Sequence, residues 1–299
     1  MDEASAPEFS RLSRKGVDTG DAMAWMQEGD GQAATARSIR ARWLRQKRQI
    51  KRDRPPNLRH AEWMALTGNP PASVLLMGYA VEMYLKAGLA KWLVRCEKSL
   101  LDGDAKAYSH DYAQLADDLQ IDETVAPRHL LCFLTNAVTL EARYPARPGP
   151  QENPIEAVNR RTGNLWSQEK FQSICHLVKR LRDHVRLMDS DCRNPASTQS
   201  FGLSAGGYLV MRRGGHLPSR VTMCPPDGQT WGLAEISDVL QRCPSFEVQQ
   251  FWSQCEIHLV ARKAGKKRDV SKKIHPPAIP TVSRHASSSI ARPAKPGLP

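Results

Sequence analysis

The segment SVLLMGYAVEMYLKAGLAKWLVR, residues 73–95, is the longest strongly apolar run in the chain. Its apolar residues recur at helical spacings, which predicts a buried helix. Glu82 and Lys86 interrupt the run before about 18 uncharged residues accumulate, so we do not expect a membrane span. The two charges are four residues apart and share a helix face. They predict either a structural ion pair in the core, which could tie the helix to Arg143 or His110, or a ligand-facing site.

Length and cysteine usage suggest a cytoplasmic protein of about two domains. A chain of 299 residues is long enough to bury a proper core. The seven cysteines are odd in number and widely spaced, with no C-x-x-C pair and no His cluster at zinc spacing. This pattern favours reduced thiols, and we expect no metal and no cofactor. The first residues lack the apolar core of a secretory signal.

The net charge of +12 is concentrated in two flanks. Residues 37–60 and residues 262–299 each hold ten Lys/Arg and one acid, so each carries +9. The rest of the chain is therefore acidic, with a net charge of −6. Basic blocks of this kind predict contact with nucleic acid or another polyanion, and the alternative interpretation is solvated, solubilising ends.

The N-terminal flank is predicted to contain one basic helix. Residues 1–33 are polar and weakly periodic, and we expect them to be disordered. Residues 34–54 combine a thin apolar stripe with many basic residues. This helix could lie across RNA phosphates with Trp43 stacking on a base, or lie on the protein with its basic side outward. The candidate nucleic-acid-binding residues are Arg40, Arg42, Arg45, Lys47, Arg48 and Lys51.

Residues 57–190 are predicted to form an up-and-down helical bundle, so the fold class is mainly α. We expect a short helix that ends at Gly68-Asn69, the apolar helix from Ser73, a polar loop over residues 97–109 and further helices beyond it. The segment from Leu165 to Met188 has the cleanest helical periodicity, with apolar steps of three and four.

The region after Asp191 is predicted to be a small α+β appendage, residues 200–262, that a turn-rich linker joins to the bundle. Strands are expected at 208–213 and 221–224, and helices at 234–242 and 248–261. Gly202-Leu203-Ser204-Ala205-Gly206 matches the nucleophile elbow of serine hydrolases, but a polar linker precedes it and a strand follows. We therefore interpret it as a turn. The basic tail, residues 263–299, is expected to be disordered.

Several motifs within residues 57–190 occur in the order that one family shows. They are GYAVEMYLKA at 78–87, HDYAQL at 110–115, RYP at 143–145 and the long helix from residue 165. Together they resemble the HEPN domain, a helical module of prokaryotic toxin–antitoxin and phage-defence proteins. That family has a central Tyr-Ala-x-Glu-x-x-Leu-Lys helix and a following His-Asp-Leu helix start. The variant found beside nucleotidyltransferases also has an Arg-Tyr-Pro at the end of the third helix.

The resemblance implies a homodimeric bundle that binds or acts on RNA or nucleotides, with a nucleotidyltransferase-type protein as a possible partner. Many relatives are metal-independent ribonucleases marked by an Arg, four to six residues and a His late in the bundle. His176 and His184 have no arginine at those upstream distances. The match Arg54-x5-His60 precedes the central helix and spans two prolines. The family's ribonuclease signature is therefore missing where it should stand.

The candidate ligand-binding residues surround the central helix. Asp111 could orient His110 for proton transfer or phosphate contact, or could cap the next helix. Arg143 could clamp a phosphate or satisfy a helix C-terminus. The full candidate set is Tyr79, Glu82, Lys86, His110, Asp111, Arg143 and Tyr144.

Two histidines are candidate catalytic residues. His184, with Arg180 and Arg182 nearby in sequence, or His110, could accept the proton of an RNA 2′-hydroxyl while an arginine stabilises the phosphorane. The alternative for these residues is a solvated helix face.

Three functions follow from these observations. The leading hypothesis is a HEPN-like RNA- or nucleotide-binding module in a prokaryotic defence or toxin–antitoxin context. The second is a metal-independent endoribonuclease that uses His184 or His110 with an arginine. The third is a non-catalytic adaptor.

Overall fold

The computed structural model describes residues 10–11, 22–53, 59–144, 146, 148–149, 151–261 and 270–274. This part of the chain is mainly helical, with a mixed β-sheet toward the C-terminus, so the predicted mainly α class is confirmed. No helix in these ranges is both long and apolar enough to cross a membrane.

The described helices and strands follow one another in this order. The N-terminal part contains β1 (Ser10–Arg11), α1 (Ala22–Asp53), α2 (His60–Trp92), α3 (Lys98–Tyr108), α4 (Tyr112–Asp118), α5 (Arg128–Asn136), a π-helical turn (Ala137–Glu141), α6 (Pro154–Trp166) and α7 (Gln168–Leu187). The C-terminal part contains β2 (Ser197–Gly202), β3 (Tyr208–Arg213), β4 (Arg220–Cys224), α8 (Leu233–Arg242), α9 (Phe246–Phe251), β5 (Glu256–Ala261) and β6 (Val270–Ile274).

Helix α1 begins twelve residues earlier than the sequence predicts, so the expected disorder is wrong for residues 22–33. Small residues on its inner face, such as Gly29 and Ala33, are buried and let α1 approach α2 closely. A Cβ atom at Gly29 would lie 2.7 Å from the Tyr84 ring. Small core residues give a weak hydrophobic pattern, which is why periodicity misses this half of the helix. Residues 1–9 and 12–21 lie outside the described residues.

Helix α2 runs without a break through Pro70 and Pro71, so the predicted helix end at Gly68-Asn69 is wrong. Pro70 has no N–H to donate to the carbonyl of Leu66 four residues earlier. The indole Nε1 of Trp43 in α1 donates to that carbonyl instead, at 3.0 Å. The packing of α1 on α2 thus satisfies the acceptor that the proline leaves open.

Two further parts of the helical region differ from the predictions. Residues 98–108 form helix α3 rather than a polar loop, with Leu100 and Leu101 buried against the core. The segment from Leu165 to Met188 is divided at Ser167 between α6 and α7. The Ser167 hydroxyl accepts from the Lys170 N–H at 3.1 Å and so caps α7.

The sheet has the strand order β1-β2-β3-β4-β5-β6. Strands β4 and β5 are parallel and joined by α8 and α9, and the other neighbours are antiparallel. Strands β3 and β4 and helix α8 confirm the predictions for those segments. The expected linker is wrong at residues 197–202, which form β2, and the expected helix over 248–261 is wrong because it ends at Phe251 and β5 follows.

The sheet packs against the helices on both faces. Tyr208 and Val210 join the core of α1–α7, whereas Leu209 and Met211 pack with α8 and α9. Successive side chains of a strand point to opposite faces, so β3 is buried on both sides. The expected disorder is also wrong for residues 270–274, which form β6 and pair with β5. Residues 262–269 and 275–299 lie outside the described residues.

Candidate functional site

Glu82 lies at the centre of a buried polar cluster. Its carboxylate is 2.6 Å from Lys86 Nζ and 2.9 Å from His110 Nδ1, and it accepts from the Tyr112 hydroxyl at 3.3 Å. Burial, followed by the Glu82 charge, raises the pKa of Tyr112, so the hydroxyl stays a donor. Lys86 Nζ also lies 5.5 Å from the centre of the Trp25 ring in α1. Glu82 is therefore paired both with Lys86 on the same helix and with His110.

The turn between α3 and α4 positions His110. Ser109 adopts a left-handed conformation with φ 50°, which is uncommon for a residue with a side chain. The Asp111 carboxylate accepts from the Gln114 N–H at 3.1 Å and caps α4. The Thr135 hydroxyl of α5 donates to the His110 carbonyl at 2.7 Å. These contacts hold the imidazole against Glu82 while its side chain stays 29% exposed.

The His110–Glu82 contact has a chemical consequence. With an ionised Glu82, Nδ1 of His110 carries the proton and donates to the carboxylate, which leaves the lone pair of a neutral ring on Nε2. This is the arrangement of an oriented general base. Asp111, by contrast, caps α4 and does not supply this contact. Tyr79 is half-buried on the same helix, packed against the main core.

Arg143 and Tyr144 follow the π-helical turn, and both are exposed. The Arg143 guanidinium carbon lies 5.9 Å from the centre of the Tyr144 ring. The buried Glu141 of the π-helical turn pairs instead with Arg160 of α6, and its backbone carbonyl accepts from Arg161 at 2.7 Å. A cavity of about 200 Å³ lies here, lined in part by Tyr144 and Arg160. Of the two further partners expected for Glu82, His110 lies at its carboxylate and Arg143 does not, because Arg143 lies beside Tyr144.

Arg40 is wrong as a candidate nucleic-acid contact, because it is only 1% exposed. Its guanidinium donates to the carbonyls of Leu165, Trp166 and Ser167 at 2.7–3.0 Å and to Gln168 Oε1 at 3.1 Å. These carbonyls belong to the end of α6, where a helix leaves acceptors unpaired and its dipole favours a cation.

Trp43 is also wrong as a stacking platform for RNA bases. It is 2% exposed, donates to the Leu66 carbonyl and packs edge-on against Trp166 at 6.3 Å. The Arg40 guanidinium carbon lies 4.6 Å from the centre of its ring. The apolar stripe of α1 is therefore used for packing, as the second of the two sequence interpretations expects.

The other basic candidates of α1 form an exposed surface, which we call the basic ridge: Arg42, Arg45, Lys47, Arg48 and Lys51. Arg42, Arg45 and Arg48 are three residues apart and lie off the face of α1 that holds its buried positions. An open groove of about 570 Å³ runs beside the ridge between α1 and α2. Its described lining includes the carboxamides of Gln46, Gln49 and Asn69.

His184 and Arg180 are not arranged as a catalytic pair in the described structure. Nε2 of His184 is buried and makes no hydrogen bond within the described residues. Burial, and then the neighbouring His216, lowers the pKa of His184. Arg180 donates to the Val125 carbonyl at 3.2 Å, and Arg182 makes a two-point ion pair with Asp30 at 2.6 and 2.8 Å. Both arginines are therefore used to hold neighbouring segments.

Sequence reasoning missed a cleft of about 380 Å³ between α3, α4 and the sheet. Arg220 of β4 lies at its base, 1% exposed, with its guanidinium carbon 4.4 Å from the centre of the Trp92 ring. Asp104 of α3 accepts from the N–H and hydroxyl of Ser271. Trp92 and Asp104 each lie more than 100 positions from Arg220 and from Ser271, and no local motif joins the two pairs. An arginine at the start of a short, largely apolar strand, RVTMC, was the available signal in the sequence.

Comparisons with known proteins add no relative. No protein-family model matches the chain, and neither the curated proteins nor the solved structures give a match. In the described residues, no group of three or more His, Cys, Asp or Glu side chains is placed to hold a metal ion.

Proposed function

We propose that the chain is a HEPN-like protein that binds RNA through the basic ridge, in a prokaryotic defence or toxin–antitoxin context. The observation that carries this proposal is the exposure of five Lys/Arg side chains within ten residues of α1. Neutralisation of phosphates by such cations supplies most of the affinity for nucleic acid.

The groove beside the ridge suits a single strand. Arg42 and Arg45 lie on one side of it, and its carboxamides can donate to and accept from base edges or ribose hydroxyls. Trp63 of α2 is 53% exposed and follows Glu62, a lining residue of the groove. An exposed indole next to a basic groove is the kind of surface on which bases stack.

The HEPN-like part of the proposal is supported by the placement of two motifs. The Tyr-Ala-x-Glu-x-x-Leu-Lys pattern lies in α2 and the His-Asp motif precedes α4, and they meet at the 2.9 Å contact between Glu82 and His110. Homodimerisation and a nucleotidyltransferase-type partner rest on the resemblance alone. The missing Arg-x4-6-His signature favours binding over cleavage.

The test compares salt dependence of binding. We expect a fluorescently labelled single-stranded RNA to bind the full chain with an affinity that falls steeply with salt. Replacing Arg42, Arg45 and Arg48 together by alanine should flatten the slope of log K against log salt by about 2, since each phosphate contact to a single strand contributes about 0.7.

The matched control removes three exposed cations elsewhere: Lys98→Ala, Lys106→Ala and Arg186→Ala. It changes the net charge by the same amount but leaves the ridge intact, so its slope should stay close to that of the wild type. Equal slopes for the two triple variants would contradict the proposal, because the binding would then depend on total charge alone.

The geometry of His110 favours a second candidate function, a metal-independent endoribonuclease. Glu82 orients the imidazole, and the ring is partly exposed. If this function is present, RNA is cleaved in EDTA, and His110→Ala abolishes cleavage while the exposed His176→Ala does not. Cleavage that survives His110→Ala but is lost in His184→Ala would favour the other histidine.

A further inference from the structure

The cleft between α3, α4 and the sheet contains an arginine with an unused donor. Arg220 Nε donates to the Thr222 hydroxyl at 2.8 Å. Its Nη2 is buried and makes no hydrogen bond within the described part of the chain. Buried donors are nearly always satisfied, so an unpaired guanidinium N–H in a cleft points to an acceptor from outside the described residues.

Asp104 does not supply this acceptor. Its carboxylate lies 4.0 Å from Arg220 Nη2, beyond hydrogen-bond distance. The same carboxylate accepts from the Ser271 N–H at 3.0 Å and from the Ser271 hydroxyl at 2.7 Å, so it is already engaged with β6.

The rest of the cleft is acidic. Asp117, Asp118 and Glu256 join Asp104 among its described lining residues, against the two cations Arg220 and Lys273. One oxygen of Asp117 pairs with Arg128 beside the cleft, and one oxygen of Asp118 accepts from the Tyr108 hydroxyl at 2.7 Å. Each of these two carboxylates keeps further lone pairs that can face a ligand. Lys273 is itself paired with Glu256 at 2.7 Å. Burial lowers the pKa of His258 to about 2, so this ring adds no positive charge near neutral pH. A phosphate or other polyanion would meet net repulsion at the mouth of the cleft.

We propose that the cleft binds a small zwitterion that carries a carboxylate and an amino or guanidino group, as in a free basic amino acid. The carboxylate accepts from Arg220 Nη2, and the cationic group is held by the carboxylates of Asp117 and Asp118. A volume of about 380 Å³ is within the range of small-molecule sites, about 300–1,000 Å³. The site is independent of RNA binding at the basic ridge.

Calorimetric titration of the full chain tests the proposal, with L-arginine as the probe. Arginine should bind, and agmatine, which lacks the carboxylate, should bind about tenfold or more weakly, because a charge-assisted hydrogen bond is lost. Inorganic phosphate should not compete. Absence of arginine binding at millimolar concentration, equal affinity for agmatine, or displacement by phosphate would each overturn the proposal.

Variants locate the site. Arg220→Met should abolish the preference for arginine over agmatine, but Arg220 is buried and its removal can unfold the chain. Asp117→Asn changes an exposed side chain and should weaken arginine binding about two- to fivefold. Asp102→Asn, an exposed acid of α3 outside the cleft lining, should leave it unchanged. Equal effects of Asp117→Asn and Asp102→Asn would place arginine elsewhere and refute the assignment.

Discussion

Replacing Arg40 by methionine should destabilise the protein, because the Arg40 guanidinium is buried and hydrogen-bonds to the end of α6 and the start of α7. Methionine keeps an unbranched apolar side chain against Trp43 but removes all four hydrogen bonds to the end of α6 and the start of α7. Hydrogen bonds to a charged donor contribute about 1.5–3 kcal/mol each, so the low end of the sum is about 6 kcal/mol.

The substitution also removes a cost that offsets part of this lost stability. Burial lowers the pKa of Arg40 to about 10 from an ordinary value of 12.5, which corresponds to a cost of about 3 kcal/mol for keeping the charge in the fold. Methionine carries no such cost. The net expectation is a loss of about 3 kcal/mol in the free energy of unfolding, a large share of the roughly 5–15 kcal/mol of a typical domain.

Urea denaturation followed by circular dichroism measures this change. The midpoint of Arg40→Met should fall at an unchanged m-value. Arg42→Met, two residues further and exposed, should stay within about 0.5 kcal/mol of the wild type. Equal stabilities of the two variants would refute the reasoning. The folded Arg40→Met protein should also bind RNA as tightly as the wild type. If it were fully stable but bound RNA more weakly, Arg40 would be a nucleic-acid contact after all.

Two further predictions concern core packing and acid sensitivity. Gly78→Ala should lower the free energy of unfolding by about 1–3 kcal/mol, since the added Cβ would lie 2.3 Å from Val138 Cγ2. Gly163 has open space around it, so Gly163→Ala should be neutral or stabilising in the same denaturation assay. Burial and two neighbouring cations lower the pKa of His258 to about 2, so the unfolded chain binds the proton more tightly and stability is lost as the pH falls below about 6.5. In His258→Gln, the free energy of unfolding should fall less steeply between pH 6 and 4, by about 1.4 kcal/mol per pH unit. The exposed His176→Gln should keep the steep fall of the wild type. Parallel curves of unfolding free energy against pH for the three proteins would contradict the assignment.

Periodicity was sufficient where a segment packs one apolar face on its neighbours. Helix α7 is such a segment, and its position was predictable. Strands β3 and β4 are buried on both faces, and their short apolar runs between turns were enough to predict them. Local sequence patterns were insufficient where the decisive contact is remote. The continuity of α2 through Pro70 depends on Trp43 of α1, 27 residues earlier in the chain. Its indole N–H donates to the Leu66 carbonyl that Pro70 leaves without a backbone donor. Strand β5 follows directly after a helical segment, and its pairing with β4 and β6 decides its conformation.

The candidate site was likewise predictable only in part. The sequence offered His110 and Arg143 as alternative partners of Glu82, and only tertiary geometry could choose His110. The cleft at Arg220 was out of reach, because Trp92, Asp104 and Ser271 come together only when the sheet packs on α2 and α3. Counting charges in the sequence also overestimated the exposed basic surface of α1, since Arg40 is buried.

The distribution of charge in the folded chain separates two kinds of ligand. The basic ridge gathers exposed cations beside a groove in which Glu62 is the one acidic residue of the described lining. This arrangement favours the proposed polyanion and predicts an affinity that depends on salt. The cleft at Arg220 places one buried cation below a mostly acidic lining, so it selects a ligand with a single anionic end and a cationic remainder. Because the same added phosphate would compete at the ridge and be repelled at the cleft, the phosphate dependence of each binding reaction identifies which of the two surfaces a ligand occupies.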